Sequence, residues 1–414
     1  MKGAASTVAV LFAPYGELLR PRSHWQLFSA GLIGRIPSAL LGFSTLLLVQ
    51  STTGSFALGG LVSGTIVAAN AAVGPYIGHL ADRHGQRRIL RVLAPINFLA
   101  IIAVLIFAMS GLGSGLLVAV AALAGGSQAS IGSFTRARWS HIFGESPPLR
   151  TAFAMESMLD DCVWIVGPAI AAFLSVVVDP SIGLIVAAAT GFIGALLLAA
   201  QRATDTPAQH AESYRRHFNP FHSLTVMVVL LSGLAVGLSF GVNDLSAIAI
   251  AKEDDVPQFA GFILGVFSVG SLIGGVVFGI MRDRWFHYRL FVVVCAYLAL
   301  TWLPLAFAPN TLWIMILGPI AGTAAAPFII ATNRLIRSLA GDDVVTEALA
   351  WMSSAIVAGM AGGSFFGGVI VDALGARAGF ATVTALMLVP LALAGVGALA
   401  RKSRRVSALS PSPQ

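Results

Sequence analysis

The sequence predicts an all-α membrane protein with twelve transmembrane helices in two pseudo-symmetric six-helix bundles. Three observations carry that expectation. The first is composition: of 414 residues, 57% are apolar or aromatic and 10% are charged, with a mean hydropathy of +0.86. A soluble domain runs at about 45–50% apolar and about 25% charged, so this chain lacks the polar residues to cover a soluble surface. The second is that the apolar residues fall into long unbroken blocks rather than the alternating segments of an outer-membrane barrel. The third is the placement of the 25 Lys and Arg. All except Lys252, Arg377 and Arg35 lie in the N-terminal segment, in alternate connections or in the C-terminal tail. A soluble enzyme, a disordered chain and a disulfide scaffold are excluded together.

The blocks run near residues 25–49, 55–79, 90–110, 114–137, 151–177, 180–200, 223–250, 257–281, 287–308, 311–335, 345–371 and 377–400. Each is long enough for the roughly 20 residues that a tilted helix needs to cross a bilayer. A polar stretch at 202–222, with Arg202, Asp205, Glu212, Arg215, Arg216 and three histidines, separates six blocks from six. The expected organisation is an N-terminal segment (1–24), a first bundle (25–201), a linker (202–222), a second bundle (223–400) and a tail (401–414). Basic residues mark the cytoplasmic side, so both termini and the linker are expected there, in a multi-pass protein of the cell membrane. The 7–8 connection, Lys252-Glu253-Asp254-Asp255, is net negative, as an outer loop can be. The formal charge of +7 therefore reads as topology rather than as a nucleic-acid surface. Met1 to Arg22 carries charges and two prolines, and no cleavable signal peptide is expected there. Cys162 and Cys295 lie inside apolar blocks and read as core-packing residues.

The two halves echo each other. Block two is followed by Gly78-His79-Leu80-Ala81-Asp82-Arg83-His84-Gly85-Gln86-Arg87-Arg88, and block eight by Gly279-Ile280-Met281-Arg282-Asp283-Arg284-Trp285-Phe286. Block five opens Thr151-Ala152-Phe153-Ala154-Met155-Glu156, and block eleven opens Glu347-Ala348-Leu349-Ala350-Trp351-Met352. Paired halves of this kind suggest a substrate site near mid-membrane, reached alternately from the two sides.

At Gly78 to Arg88 the chain resembles the major facilitator superfamily, whose 2–3 loop signature, G-x-x-x-D-R-x-G-x-R-R, is matched at every specified position. The glycines suit tight turning between helices. Asp82 suits the positive end of a neighbouring helix, and Arg83, Arg87 and Arg88 suit acids or lipid phosphates. The resemblance implies a gating latch formed by Gly78, Asp82, Arg83, Gly85, Arg87 and Arg88 against helix 11, whose entrance carries Asp343 and Glu347. The second copy keeps Asp283 and Arg284 but has Phe286 in place of the glycine and only Arg289 of the double arginine, which implies a weaker latch. Gly167-Pro168 on block five partly matches the longer glycine-rich signature of the superfamily's drug–proton antiporters, and a kinked small-residue packing face explains the pair equally well. The superfamily's proton-linked members often carry an arginine midway along helix 4, where this chain has Gly125, Gly126, Ser127 and Gln128. Arg136 and Arg138 at the end of that block are expected to anchor it at the cytoplasmic face beside Asp82. Helices 1, 4, 7 and 10 line the cavity in the superfamily, which makes Gln128, Asn243, Asp244 and Asn333 candidates for substrate contact.

The densest intramembrane charge lies on block five, at Glu156, Asp160 and Asp161. Glu156 and Asp160 share a helix face, and Asp161 is turned about 100° away. At about 1.5 Å per residue, Asp160 and Arg35 both lie roughly 15 Å from the cytoplasmic end of their blocks. Groups at that depth pair with one another or relay protons. Two readings stand: a structural bridge from Arg35 to Asp160 or Asp161, or proton coupling by an acid that Arg35 leaves unpaired, with Met352 in the corresponding place of the second half. The expected function is proton-coupled secondary transport by alternating access, exporting small amphipathic or hydrophobic compounds through a largely apolar cavity. The alternatives are an uptake symporter for a small metabolite and a non-transporting sensor or lipid-handling membrane protein. The expected partners are membrane lipid, a small-molecule substrate and protons, with no nucleic acid, and the chain is expected to be a monomer. No Walker P-loop, metal-ligand spacing or nucleotide fingerprint points to an enzyme, a metal or a cofactor.

Overall fold

The computed structural model describes residues 15–111, 113–144, 146–206, 223–280, 287–339 and 345–409. Its main helices are α1 (Arg22–Thr53), α2 (Phe56–His84), α3 (Gln86–Ser110), α4 (Ser114–Gly126), α5 (Ile131–Phe143), α6 (Pro148–Phe173), α7 (Ile182–Ala200), α8 (Leu224–Glu253), α9 (Ala260–Ile280), α10 (His287–Trp302), α11 (Thr311–Gly322), α12 (Ala325–Leu339), α13 (Val345–Leu374) and α14 (Ala376–Leu409). No strand occurs among the described residues. Eleven helical segments are long and apolar enough to cross a membrane. The segment at block five is not among them, because α6 carries Glu156, Asp160 and Asp161 within one 26-residue helix. The fold is the expected all-α membrane architecture.

Turns fall where glycine permits a left-handed backbone. Gly54 ends α1 at φ 78°, with its N–H donating to Gln50 O at 2.9 Å. Gly85 of the loop signature separates α2 from α3 at φ 86°, a conformation that costs a side-chain-bearing residue energy. The signature glycine is thus required by the turn itself.

Two blocks that read as continuous are broken. Span four divides into α4 and α5 around Ser127–Ser130, and span ten into α11 and α12 at Thr323–Ala324. Both breaks follow poor helix formers, Gly125-Gly126 in one and Gly318-Pro319 with Gly322 in the other. Carbonyls freed at the first break must find donors inside the protein. Asn97 Nδ2 donates to Ala124 O at 2.7 Å, and Asn70 Nδ2 donates to Gln128 O at 3.1 Å. At the second break, Thr323 Oγ1 donates to Ile320 O at 2.6 Å.

The chain forms two compact units. The first comprises residues 1–54 and 68–212, and the second comprises 55–67 and 213–414. Residues 55–67, the start of α2, thus cluster with the second unit. In the first unit, α1 packs along α7, and Gly34 and Gly194 meet so closely that a Cβ at Gly194 would lie 2.3 Å from the Gly34 backbone. In the second unit α8 packs along α13 through Gly233, Gly237 and Gly241 on one helix and Gly359, Gly363 and Gly367 on the other. A Cβ at Gly237 would lie 2.0 Å from Ile356 O, and one at Gly363 2.1 Å from Leu238 O. Small residues every fourth position let membrane helices touch backbone to backbone. Cys295 is buried, as expected, whereas Cys162 of α6 is exposed rather than packed in the core.

Candidate functional site

The first unit gathers the charges that the sequence places deep in the membrane. Arg35 of α1 points at α5 and α6. Its Nη2 pairs with Glu156 Oε2 and donates to Thr135 Oγ1 at 2.9 Å, and its Nε lies 2.8 Å from Asp160 Oδ1. Arg136 of α5 pairs with Asp160 Oδ2. Thr135 Oγ1 also donates to Glu156 Oε2 at 2.6 Å, and Trp139 Nε1 donates to Glu156 Oε1 at 2.8 Å. Two cations thus face two carboxylates, and every close partner lies on α1, α5 or α6.

Helical spacing explains the convergence. Glu156 and Asp160 are four apart on one face of α6, and Thr135 and Trp139 are four apart on one face of α5. Gly132 leaves room for the guanidinium, since a Cβ there would lie 3.1 Å from Arg35 Nε. The break at Ser127–Ser130 starts α5 afresh just before this face, so it sets the rotation at which Thr135, Arg136 and Trp139 are presented.

The two acids differ in setting. Glu156 is fully buried at 0% exposure, and both of its oxygens are engaged. Asp160 is 34% exposed and is shared by Arg35 at 4% and Arg136 at 35%. Among the described residues, Arg35 Nη1 is buried without a hydrogen-bond partner. Of the two acids expected as its partner, Arg35 meets Asp160, and it also holds Glu156, one turn away, because its fork spans both positions of that face. Arg136 and Arg138 also differ from expectation. Arg136 faces Asp160 rather than Asp82. Arg138, at 0% exposure, donates Nε to Gln86 Oε1 at 2.9 Å and Nη1 to Thr204 Oγ1 at 3.2 Å, and its Nη2 lies 3.4 Å from Asp205 Oδ1. The side chain of Asp161 lies outside the described residues.

In the second unit the place of Glu156 in the sequence repeat is taken by an uncharged residue. Met352 of α13, at that place, packs on Gly233 of α8, where a Cβ would lie 2.6 Å from its Cε.

The loop signature is placed at the end of α2. Asp82, Arg83 and Arg88 are exposed, and Gly78 has open space around its Cα. Arg87 turns back into its own unit, donating Nε to Ala199 O at 2.9 Å, with Asp205 Oδ2 at 3.8 Å. Asp283, Arg284 and Asp343 lie outside the described residues, as does the side chain of Glu347. Of the cavity candidates, Gln128 borders a void of about 20 Å³ shared with Gly34, Pro37, Asn97 and Ser127. Asn243 is 4% exposed, and its Oδ1 has no partner among the described residues. Asp244 and Asn333 are half-buried on α8 and α12. Sequence reasoning missed Thr135, Trp139 and Asp205 as partners of buried charge. A signal for the first two existed in their four-residue spacing beside Arg136.

A family model described as Major Facilitator Superfamily matches residues 229–414. Over 131 residues, 32% of this chain, the sequence is 28% identical to the multi-drug resistance efflux pump PmrA of Streptococcus pneumoniae serotype 4. That match spans only 33% of the pump's own length. Among solved structures, a bacterial homologue of the iron transporter ferroportin in an inward-facing state aligns with a TM-score of 0.68 at 15% identity, covering 90% of this chain and 98% of that one. The nucleoside transporter NupG aligns at 0.67 and 12% identity over 92% of this chain and 99% of its own. The peptide transporter POT in complex with sulfate aligns at 0.67 and 13% identity, over 93% and 95%. These structural likenesses show the fold, that of a membrane transporter of this architecture, and the Major Facilitator Superfamily model matches the second half of the chain.

Proposed function

We propose that this chain is a proton-coupled secondary transporter that works by alternating access and exports small amphipathic or hydrophobic compounds from the cytoplasm. The observation that carries the coupling is the four-charge cluster of Arg35, Arg136, Glu156 and Asp160 at membrane depth. Asp160 is the carrier. Protonating Glu156 would strand the guanidinium of Arg35 in a site sealed from water, a costly arrangement. Protonating Asp160 leaves Arg35 with Glu156 and leaves Arg136, 35% exposed, free to find water. Asp160 is therefore the cheaper acid to neutralise, and its partial exposure gives protons a way in and out.

Export is supported by the likeness to a multidrug pump over a third of the chain. The scarcity of polar candidates on the cavity-lining spans supports an apolar or amphipathic cargo over a phosphate or a bare ion. The chain acts as a monomer in the cell membrane, with lipid, protons and a small molecule as its partners and both termini in the cytoplasm, as its one-sided basic loops favour.

Transport by proteoliposomes under an imposed pH gradient tests the reading, after a thermal-shift screen of amphipathic cations and neutral drugs supplies a binder. Export by antiport requires solute to move against inward proton flow. Solute accumulating together with inward-moving protons identifies an uptake symporter and rejects export.

A further inference from the structure

At one end of the second unit, three acids meet three helix N-termini. Glu253 Oε1 accepts from Ala376 N of α14 at 2.8 Å, and Asp254 Oδ2 accepts from Thr311 N of α11 at 2.6 Å. Asp372, near the end of α13, takes the start of α2. Its Oδ1 accepts from Phe56 N at 3.0 Å, and its Oδ2 accepts from Ala57 N at 2.7 Å and from Ser55 Oγ at 3.0 Å. Ser55 Oγ in turn accepts from Leu58 N at 3.1 Å. The first amides of α2, which have no partners within their own helix, are thus held by a carboxylate 316 residues away.

The three caps differ in what they hold. The helices capped by Glu253 and Asp254 lie wholly within the second unit, whereas only residues 55–67 of α2 do; from residue 68 onward that helix belongs to the first unit. Those residues lie on α13 by close backbone contact: a Cβ at Gly60 would be 2.0 Å from Ser364 O, and one at Gly64 2.6 Å from Ala361 O. Lys252 Nζ sits 5.9 Å from the centre of the Phe56 ring. Asp372 itself is exposed, so on release both its oxygens and the freed amides meet water. A contact that water can replace at both ends is suited to breaking and remaking.

We propose that Asp372 is the outer latch of this transporter, a carboxylate that holds the start of α2 on α13 while the outer side is closed and lets go when it opens. Its charge selects the closed state by binding the positive end of α2, the role that the loop signature's aspartate is expected to play at the opposite face. The proposal rests on the orientation and alternating access argued above.

The test reads accessibility, with a Cys162→Ser, Cys295→Ala protein carrying Ser63→Cys on the latched segment, where Ser63 is 6% exposed. A membrane-impermeant maleimide is applied to right-side-out and to inside-out vesicles, with thermal stability in detergent measured alongside. Asp372→Asn is expected to speed labelling from the outer side by about five- to tenfold, since charge at a helix N-terminus shifts a two-state balance by that order. Ser55→Ala, which loses one of the three bonds to Asp372 and the bond from Leu58 N but keeps the charge, gives a smaller rise, and Asp372→Glu stays near the parent. Unchanged labelling in Asp372→Asn overturns the latch. So does a rise from both sides with a large loss of thermal stability, which marks a cap needed only for folding. A rise confined to inside-out vesicles overturns the orientation, and an outer latch with it.

Discussion

Replacing Glu156 by methionine, the residue at the matching place in the second unit, isolates the value of the buried charge pair. The change removes the carboxylate that Arg35, Thr135 and Trp139 share and leaves Arg35, 4% exposed, with Asp160 at 2.8 Å and the Thr135 hydroxyl at 2.9 Å. Breaking a buried pair from one side costs about 3–5 kcal/mol. The stranded Trp139 indole N–H is part of that cost, at roughly 1–3 kcal/mol for a group left unsatisfied, whereas the Thr135 hydroxyl keeps Gly132 O as an acceptor at 3.1 Å. Replacing both partners, Arg35→Met with Glu156→Met, takes away the stranded cation and gives Asp160 wholly to Arg136. The double variant is expected to be more stable than the sum of the single changes by about 2–3 kcal/mol, the coupling expected of residues in one network. Denaturant or thermal unfolding of purified protein in a single detergent, run as a double-mutant cycle, measures this. If the double variant costs the sum of the two single ones, Arg35 and Glu156 are not energetically paired and the cluster does not hold the first unit together.

Asp160→Asn is expected to fold with a loss of no more than about 1 kcal/mol, because Asp160 and Arg136 are both about a third exposed and the buried Arg35 keeps Glu156. It should still bind substrate and exchange it down a gradient while losing proton-driven transport, and proteoliposome flux with and without a pH gradient separates the two. Gly237→Val should destabilise the second unit by about 1–3 kcal/mol or more, since its Cβ would fall 2.0 Å from Ile356 O; yield and thermal stability in detergent report the loss. Gly85→Ala should cost about 1–2 kcal/mol from its φ of 86°, with nothing within 4 Å of the new Cβ to add a clash. Comparison with Gly78→Ala, where the backbone carries no such demand, checks that the cost is conformational.

The spans and their order were legible because long apolar runs, glycine turns and one-sided basic loops each follow from a local rule. Arg35, Glu156 and Asp160 were legible as a group because buried charge is rare enough to stand out. Their pairing was not, because which acid an arginine meets depends on the rotation of α5 and α6 about their axes. That rotation is set for α5 by the break at Ser127–Ser130, and glycines in a sequence announce such a break only weakly when the surrounding run is apolar. The fate of Arg138 was hidden for a related reason. Near a cytoplasmic helix end an arginine reads as an interface anchor, and only tertiary structure brings Gln86, Thr204 and Asp205 around it to make complete burial tolerable. The start of α2 shows a third limit. Residues 55–67 continue into a helix of the first unit, yet Asp372 and the glycine contacts with α13 hold them to the second, and chain continuity carries no trace of that.

The contrast between the units bears on where coupling can reside. Both hold their first and fifth helices together, but by different means. The second uses backbone contact along Gly237 and Gly241, with the Met352 side chain packed on Gly233. The first places Arg35, Glu156 and Thr135 between the corresponding elements. A glycine seam has nothing to titrate, and its packing is indifferent to pH. A charge network of balanced sign changes its net charge with every proton taken up and must rearrange in response, because unpaired charge in low dielectric is expensive. On the proton-coupled reading proposed above, the titrating groups lie in the first unit, and the seam of the second is unaffected by them. The sealed Glu156 and the half-exposed Asp160 then divide the labour. The buried acid keeps Arg35 in place through the cycle, and the exposed one exchanges its proton without unfastening the helices.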